Sequence, residues 1–520
     1  MSLRLSIPAE LASPNQPAET RPKQLEQWLN GLPLTQLFDS TRAVCDSLAR
    51  LNRTRLPVDE RLKLLEIYQP VLNRLRAEIA EDYNKAPLPL PATSRQAVNL
   101  ARELLIEEAY AFKVALLEKS SKMRLFGARK QLVPLIEQVM RTLSGALTLS
   151  YQSYLPTPAG VWHEMHELYR YAAQQKLLED EDPLSPLSGV GASAGSVGVI
   201  YKQAVLLALT DPYRLPRVEL PEVIRIAAQL APLTELRFGA LPGAQQLFVI
   251  HPETDKPPKP AMQPGTDNEL RGIEWIVGTV LLVHRLSEVV AQLESEDQPI
   301  RNADALFSAP KDLLDRLIQC WGAPPKRVFR RQAGQATVQI CSGINRICRL
   351  LGGAAQKGGA RETSRMNIPA FSDEPLPEWD VINQSAGGFK LRGQPAGESG
   401  INVGEIVAVQ HRGMPGVSIG VIRWAQTFED DSVEFGVQML GPRAEAVSLE
   451  PVAGGRGTQK ALLLPDIPAL QQPAAIVAMP GNYQPEREFV LVLTKQVDTI
   501  RAAELLEKTA CYELFRFVAT

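Results

Sequence analysis

The spacing of apolar residues changes character along this chain, and that change limits the folds open to it. Through most of the first three hundred residues, apolar side chains recur every three or four positions, which keeps them on one helical face. Leu62, Leu65, Tyr68, Leu72, Leu75 and Ile79 form one such stripe, with Pro57, Asp59 and Glu60 suited to its opening turn and Pro70 to a kink. Val98, Ala101, Leu105, Ala109, Phe112 and Leu116 form a second, and Leu132, Ile136, Val139 and Leu143 a third. Further helices are expected near 158–176, 197–209 and 219–232. Successive amphipathic helices predict a bundle or α-solenoid, although no fixed period identifies a named repeat.

From Lys326 the texture becomes that of a β protein. Short runs such as ATVQI, FKL, IVAVQ, SIGVIRW and EFGVQML are separated by Gly, Pro and Asp turns, which predicts a barrel or sandwich. The tail from Lys460 repeats the pattern with ALLLP, AAIVAM, EFVLVLT and CYELFRFVA, which reads as a second small β-unit or an extension of the first. Between these regimes lie the β-like run Phe248-Val249-Ile250, the breaker cluster PETDKPPKPAMQPG, read as a loop or inter-domain linker, and a short helix near Leu306–Trp321. A chain of 520 residues is too long for one ordinary core. The expected fold is multidomain α+β. Its parts are a mainly helical bundle or solenoid-like region over 1–232, a mixed α/β middle over 233–320, an antiparallel β-barrel over 321–455 and a β-rich extension over 456–520.

Net charge narrows the function classes. With 56 Lys and Arg against 58 Asp and Glu, the chain has no global pull toward nucleic acid or an acidic membrane, so any anion site must come from local clustering. Its five cysteines are scattered and form no CxxC pair, which fits a reduced cytosolic compartment. The polar, proline-rich N-terminus lacks the apolar core of a signal peptide. The longest apolar stretch, around Ile276–Val283, is too short to span a bilayer. A cytoplasmic location and no membrane span are therefore expected.

Local clustering does occur. Between Trp321 and Arg365 stand nine basic residues against a single acidic one, Glu362, beginning with KRVFRR at Lys326–Arg331. Further on, Asn383-Gln-Ser-Ala-Gly-Gly388 lies between strand-like stretches. Alone, a basic cluster reads as solvated surface, and Asn, Ser and Gly read as turn residues. Together, in this order and in β context, they resemble the two signatures of the PilZ family: RxxxR, matched by Arg327-Val-Phe-Arg-Arg331, and D/N-x-S-x-x-G, matched by Asn383 to Gly388. Gly420-Val-Ile-Arg-Trp424 and Phe435-Gly-Val-Gln-Met439 are similar to that family's closing strands.

The resemblance implies a PilZ-like barrel that binds cyclic di-GMP through Arg327, Arg331, Asn383, Ser385 and Gly388, with Arg330 an auxiliary positive charge. The residue types suit that ligand. Arginine forks two donors onto a phosphate or onto guanine O6 and N7, and its flat guanidinium stacks on a base. Asn383 and Ser385 offer hydrogen bonds, and Gly388 permits close backbone approach. The implied function is a non-enzymatic receptor with no cofactor, relaying ligand occupancy through the helical region to a partner protein. The alternative is a helical scaffold or adaptor whose barrel is structural and binds no nucleotide. A single-stranded nucleic-acid binder would want aromatics interleaved with the arginines, and only Phe329 and Trp321 lie near.

This chain departs from the family pattern at one point. The family places its signatures closer together, whereas here residues 332–382, including LGGAAQKGGARETSR, separate them. An inserted loop that leaves the arginines in reach, or one that displaces them, are both open. Other motifs read blandly. His163 and His166 in HEMHE lack the HExxH spacing, Gly189–Gly195 has no GK[ST] ending, and Cys341 and Cys348 read as packed thiols.

Overall fold

The computed structural model of the chain describes residues 3–10, 17–122, 131–179, 195–238, 248–261, 274–294, 305–322, 332–334, 336–357, 376–385, 387–394, 400–412, 416–428, 430–453, 457–468, 472–493 and 497–520. The chain divides into two compact units. One holds residues 1–86, 90–212 and 220–325, and the other holds 87–89, 213–219 and 326–520. The stretch 233–320, expected as a separate middle region, groups with the helices.

The first unit opens with α1 (Pro22–Asn30), α2 (Leu37–Asn52), α3 (Val58–Asn84), α4 (Ala92–Lys122) and α5 (Val133–Ser153). The stripes read from the sequence are its core. Tyr68, Leu72, Leu75 and Ile79 of α3, Val98, Ala101 and Phe112 of α4 and Ile136 and Val139 of α5 are all buried. The helix α3 continues through Pro70, with buried neighbours on both sides of it. A buried arginine, invisible to periodicity, ends α2: Arg61 donates to the carbonyls of Leu51 and Thr54 at 3.0 and 2.8 Å. Leu51 lies in the last turn of α2 and Thr54 just beyond it, so the guanidinium holds the chain where the helix stops.

Next come α6 (Val161–Gln175), α7 (Val197–Leu209) and α8 (Leu220–Leu230), then β1 (Glu235–Phe238), β2 (Phe248–Ile250), β3 (Lys259–Pro260) and β4 (Trp275–Gly278), and finally α9 (Val280–Glu294) and α10 (Lys311–Gly322). The four strands form one sheet in the order β1-β4-β2-β3. The described part of the proline-rich cluster after β2 is pinned at Asp255 and Lys256 rather than a free linker. Asp255 accepts from the backbone N–H of Gly160 and of His163 at 2.6 and 3.1 Å, satisfying free donors at the start of α6. The buried ring of His166 bonds the Tyr201 hydroxyl at 2.7 Å and the Lys256 carbonyl at 3.0 Å. Burial pushes its pKa down to about 4, so the imidazole is neutral at ordinary pH. The Gly189–Gly195 motif lies outside the described residues except for Gly195.

The second unit is two closed barrels. The first uses β5 (Gln332–Ala333), β6 (Thr337–Ser342), then the helix α11 (Ile344–Lys357), β7 (Glu378–Ser385), β8 (Gly388–Gly393), β9 (Ile406–His411), β10 (Ser418–Thr427) and β11 (Val433–Gly441). The ring runs β7-β6-β9-β10-β11-β8 and closes by pairing β8 with β7. Trp379, Val381, Leu391 and Phe435 are buried, with the Trp379 and Phe435 rings edge to face at 4.7 Å.

The second barrel comprises β12 (Glu445–Pro451), β13 (Gln459–Leu464), β14 (Ala475–Ala478), β15 (Glu488–Val492), β16 (Val497–Lys508) and β17 (Glu513–Ala519), closed in the order β12-β13-β14-β17-β16-β15. Of the two readings of the tail, a second small β-unit or an extension of the first, the strands form the former, a complete barrel. Its first strand, β12, lies before the 455/456 boundary drawn from the sequence. Between the barrels sits α11. Its Ile344, Ile347, Cys348 and Leu351, at i, i+3, i+4 and i+7, enter a core shared with Ala408 and Ile419 of the first barrel and Leu462 and Val477 of the second. Cys341 and Cys348 are buried thiols in that core.

Candidate functional site

The Asn383–Gly388 signature forms the tip of the β7–β8 hairpin. Ser385 pairs with Gly388 across the tip of the hairpin. The Ser385 hydroxyl donates to the Gly388 carbonyl at 3.4 Å, and the Met439 N–H of β11 donates to the Gly387 carbonyl at 3.0 Å. Gly388 has φ 154°, and a Cβ there would overlap the carbonyl oxygen of Val437. Its lack of a side chain is a steric requirement of this packing.

The stretch between the two signatures does not push the chain away from this hairpin. Gln332 pairs with Gln384 and Ala333 with Asn383, so the residues that follow Arg331 lie against the second signature. Gly334 continues the contact, its N–H bonding the Ile382 carbonyl at 3.2 Å. The same edge of β7 then takes β6, with Thr337 opposite Asp380 and Gln339 opposite Glu378. The helix α11 and residues 358–375 connect the other end of this pair. Asn383 and Glu378 are five residues apart along β7, about 17 Å at strand rise. An insertion there leaves the register at the signature end untouched. Part of the expected loop is itself helix, because Ile344, Ile347, Cys348 and Leu351 give it an apolar face to bury.

From Asn383 a row of cross-strand neighbours runs over the outer wall of the barrel. Asn383 stands opposite Lys390, Lys390 opposite Gly436, and Gly436 opposite Trp424. A Cβ at Gly436 would collide with the Trp424 indole, so glycine lets the ring lie against the sheet. The Lys390 ammonium sits 5.9 Å from the indole centroid and bonds Glu434 at 2.6 Å. Arg392 bonds Asp430 at 2.8 Å. The Ser432 hydroxyl and N–H, and then Arg392, hold the Asp430 carboxyl below its usual range.

Of the residues selected from the sequence, Asn383, Ser385 and Gly388 share this hairpin, and Arg327, Arg330 and Arg331 lie outside the described residues. Lys390, Gly436 and Trp424 were not selected. Their signal was the FKL, GVIRW and FGVQM runs, read only as strands; the pairing that brings them into one row with Asn383 is in none of these runs. Among the described residues no cluster of His, Cys, Asp and Glu is placed to hold a metal ion, and no helix is long and apolar enough to cross a membrane.

Three family models match consecutive parts of the chain. That of the N-terminal domain of the cyclic-di-GMP receptor FimW matches residues 23–242. That of its middle PilZ domain matches 247–356 and 353–446, and that of its C-terminal beta-barrel domain matches 447–520. The last boundary falls within β12. The chain is also similar to the cyclic-di-GMP receptor FimW of Pseudomonas aeruginosa, with 25% identity over 542 residues, covering 91% of this chain and 86% of that protein. With helices, a PilZ barrel and a second barrel in that order, the chain belongs to the FimW family and carries a PilZ domain in its middle.

Proposed function

We propose that this protein is a cytoplasmic, non-catalytic receptor that binds cyclic di-GMP at the β7–β8 hairpin of its PilZ barrel and passes occupancy through its helical unit to a partner protein. Arg327 and Arg331 would fork onto phosphate and guanine edges, with Arg330 adding positive charge. Asn383 and Ser385 would hydrogen-bond the ligand, and Gly388 keeps the turn close against β11. One observation carries the reading: Gln332, bonded directly to Arg331, is paired with Gln384 in the second signature. The described chain that follows RxxxR therefore runs along the second signature, with Ala333 opposite Asn383.

The row beyond Asn383 supports the same ligand class. Trp424 offers a flat aromatic face on the same outer wall, with Lys390 and Gly436 between, and a guanine could stack on it. The name of the Pseudomonas relative and the run of family matches agree with this ligand. The relay follows if ligand affinity differs between two arrangements of the molecule.

Isothermal titration of the full chain with cyclic di-GMP tests the reading. Saturable binding is expected, weakened by at least about tenfold in Arg327→Ala and in Arg331→Ala, since each removes a charge-assisted contact. No binding by the unaltered chain, or equal binding by both variants, sinks it and leaves the barrel as a structural module.

A further inference from the structure

The signature hairpin is tied by a continuous set of polar contacts to the C-terminal barrel. Gly388 pairs with Gln438 of β11, and the neighbouring Met439 N–H bonds the Gly387 carbonyl. The Gln438 side-chain oxygen accepts from Arg423 Nε at 2.7 Å. The two terminal nitrogens of Arg423 fork onto the Glu507 carboxylate of β16 at 2.5 and 2.8 Å. Glu507 is part of the other barrel.

Irregularities in both strands aim this pair. In β10 the register with β11 slips between Ile422 and Trp424, which leaves Arg423 as the extra residue of a bulge. In β16 the register with β17 slips between Leu505 and Glu507. Bulges re-aim side chains, and here two of them point a guanidinium and a carboxylate at each other. The pair is partly buried, with 30% and 27% of the side chains exposed, and has the bidentate geometry that fixes orientation as well as charge. Burial disfavours the Arg423 charge, but hydrogen bonds and charge from Glu507 and Tyr512 together outweigh it, and the pKa is raised. Arg423 also precedes Trp424, so the fork that holds the bulge holds the indole's backbone.

We infer that Arg423 and Glu507 are positioning residues for the ligand site, through which the C-terminal barrel sets the affinity of the PilZ barrel. Glu507 holds Arg423; Arg423 holds Gln438 and the Trp424 backbone; β11 holds the turn. This inference rests on the ligand reading above. Its consequence is that the second barrel is a working part of the receptor rather than an appended domain.

Titration of full-length variants with cyclic di-GMP separates the possibilities. Glu507→Gln keeps the size of the side chain and removes its charge, and affinity should fall by about tenfold. Glu504→Gln, which disrupts the exposed pair with Arg516 at 2.6 Å on the same barrel, should stay within about twofold. In ligand-free Glu507→Gln, amide exchange at Met439 should quicken while the far-UV spectrum is unchanged. Unaltered affinity in Glu507→Gln overturns the inference, whatever its thermal midpoint. An equal loss in Glu504→Gln also overturns it, because the effect would then be general destabilisation. Absence of binding by the unaltered chain defeats the ligand reading itself, and is recognised by that control.

Discussion

In the first barrel, glycine occupies strand positions 388, 393, 420, 436 and 441, whereas the six strands of the C-terminal barrel contain none. Both barrels close with six strands around an aromatic and aliphatic interior. They differ on the outside. Glycine weakens a strand and gives the core nothing to pack, so it persists where something must come close. At Gly388 that is the Val437 backbone, and at Gly436 it is the Trp424 indole. Both walls carry paired charges, Lys390 with Glu434 on the first and Arg501 with Glu486 and Arg516 with Glu504 on the second, all at 2.6 Å. The first barrel thus makes room on its strands for a close backbone and an indole, and the second has no strand glycine to do so.

The largest expected effect tests the interior of the second barrel. Phe489 is fully buried in the second barrel beside Leu449, Ile476 and Phe515. Phe489→Ala should lower the stability of the two-barrel unit by about 3–5 kcal/mol in denaturant unfolding. The folded fraction should bind cyclic di-GMP as before. A cost under about 1 kcal/mol would mean that this interior is not packed as described.

Gly388→Ala comes next. The added methyl group meets backbone rather than a side chain that can swing away, so a cost of about 2–3 kcal/mol and loss of measurable binding are expected. If stability is unchanged, the close approach to Val437 is not what requires glycine there.

The smallest effect is the most specific. Trp424→Ala should leave thermal stability within about 1 kcal/mol, since the ring lies on the outer wall, and weaken cyclic di-GMP by roughly 1–3 kcal/mol, the worth of one stacked base. Undiminished affinity would remove Trp424 from the site and confine the ligand to the hairpin and the arginine segment.

Much of this was legible beforehand, for reasons that can be named. Helical stripes such as Val98 to Leu116 could be read because burial on one face repeats every three or four residues. The strands of the first barrel could be read from β-branched runs between turn residues. Arg61, buried to end α2, and Asp255, which caps α6 from 92 residues downstream of His163, could not. Each is a polar residue whose partner is set by packing, and polar residues show no period. The status of β12 was hidden too, since EAVSLEP gives no sign of which barrel it joins.

The PilZ signatures belong to the amino-acid sequence alone. Turn chemistry is local, and a few residues carry it. Where the described residues after the first signature run was decided by the tertiary structure, in which β5 and β6 share one edge of β7 and the inserted helix joins the far end. Tertiary structure also brought Trp424 into line with Asn383 and forked Arg423 onto Glu507, which lies 84 residues away. The register of paired strands fixes such neighbours, and register is a property of two segments together that neither contains by itself.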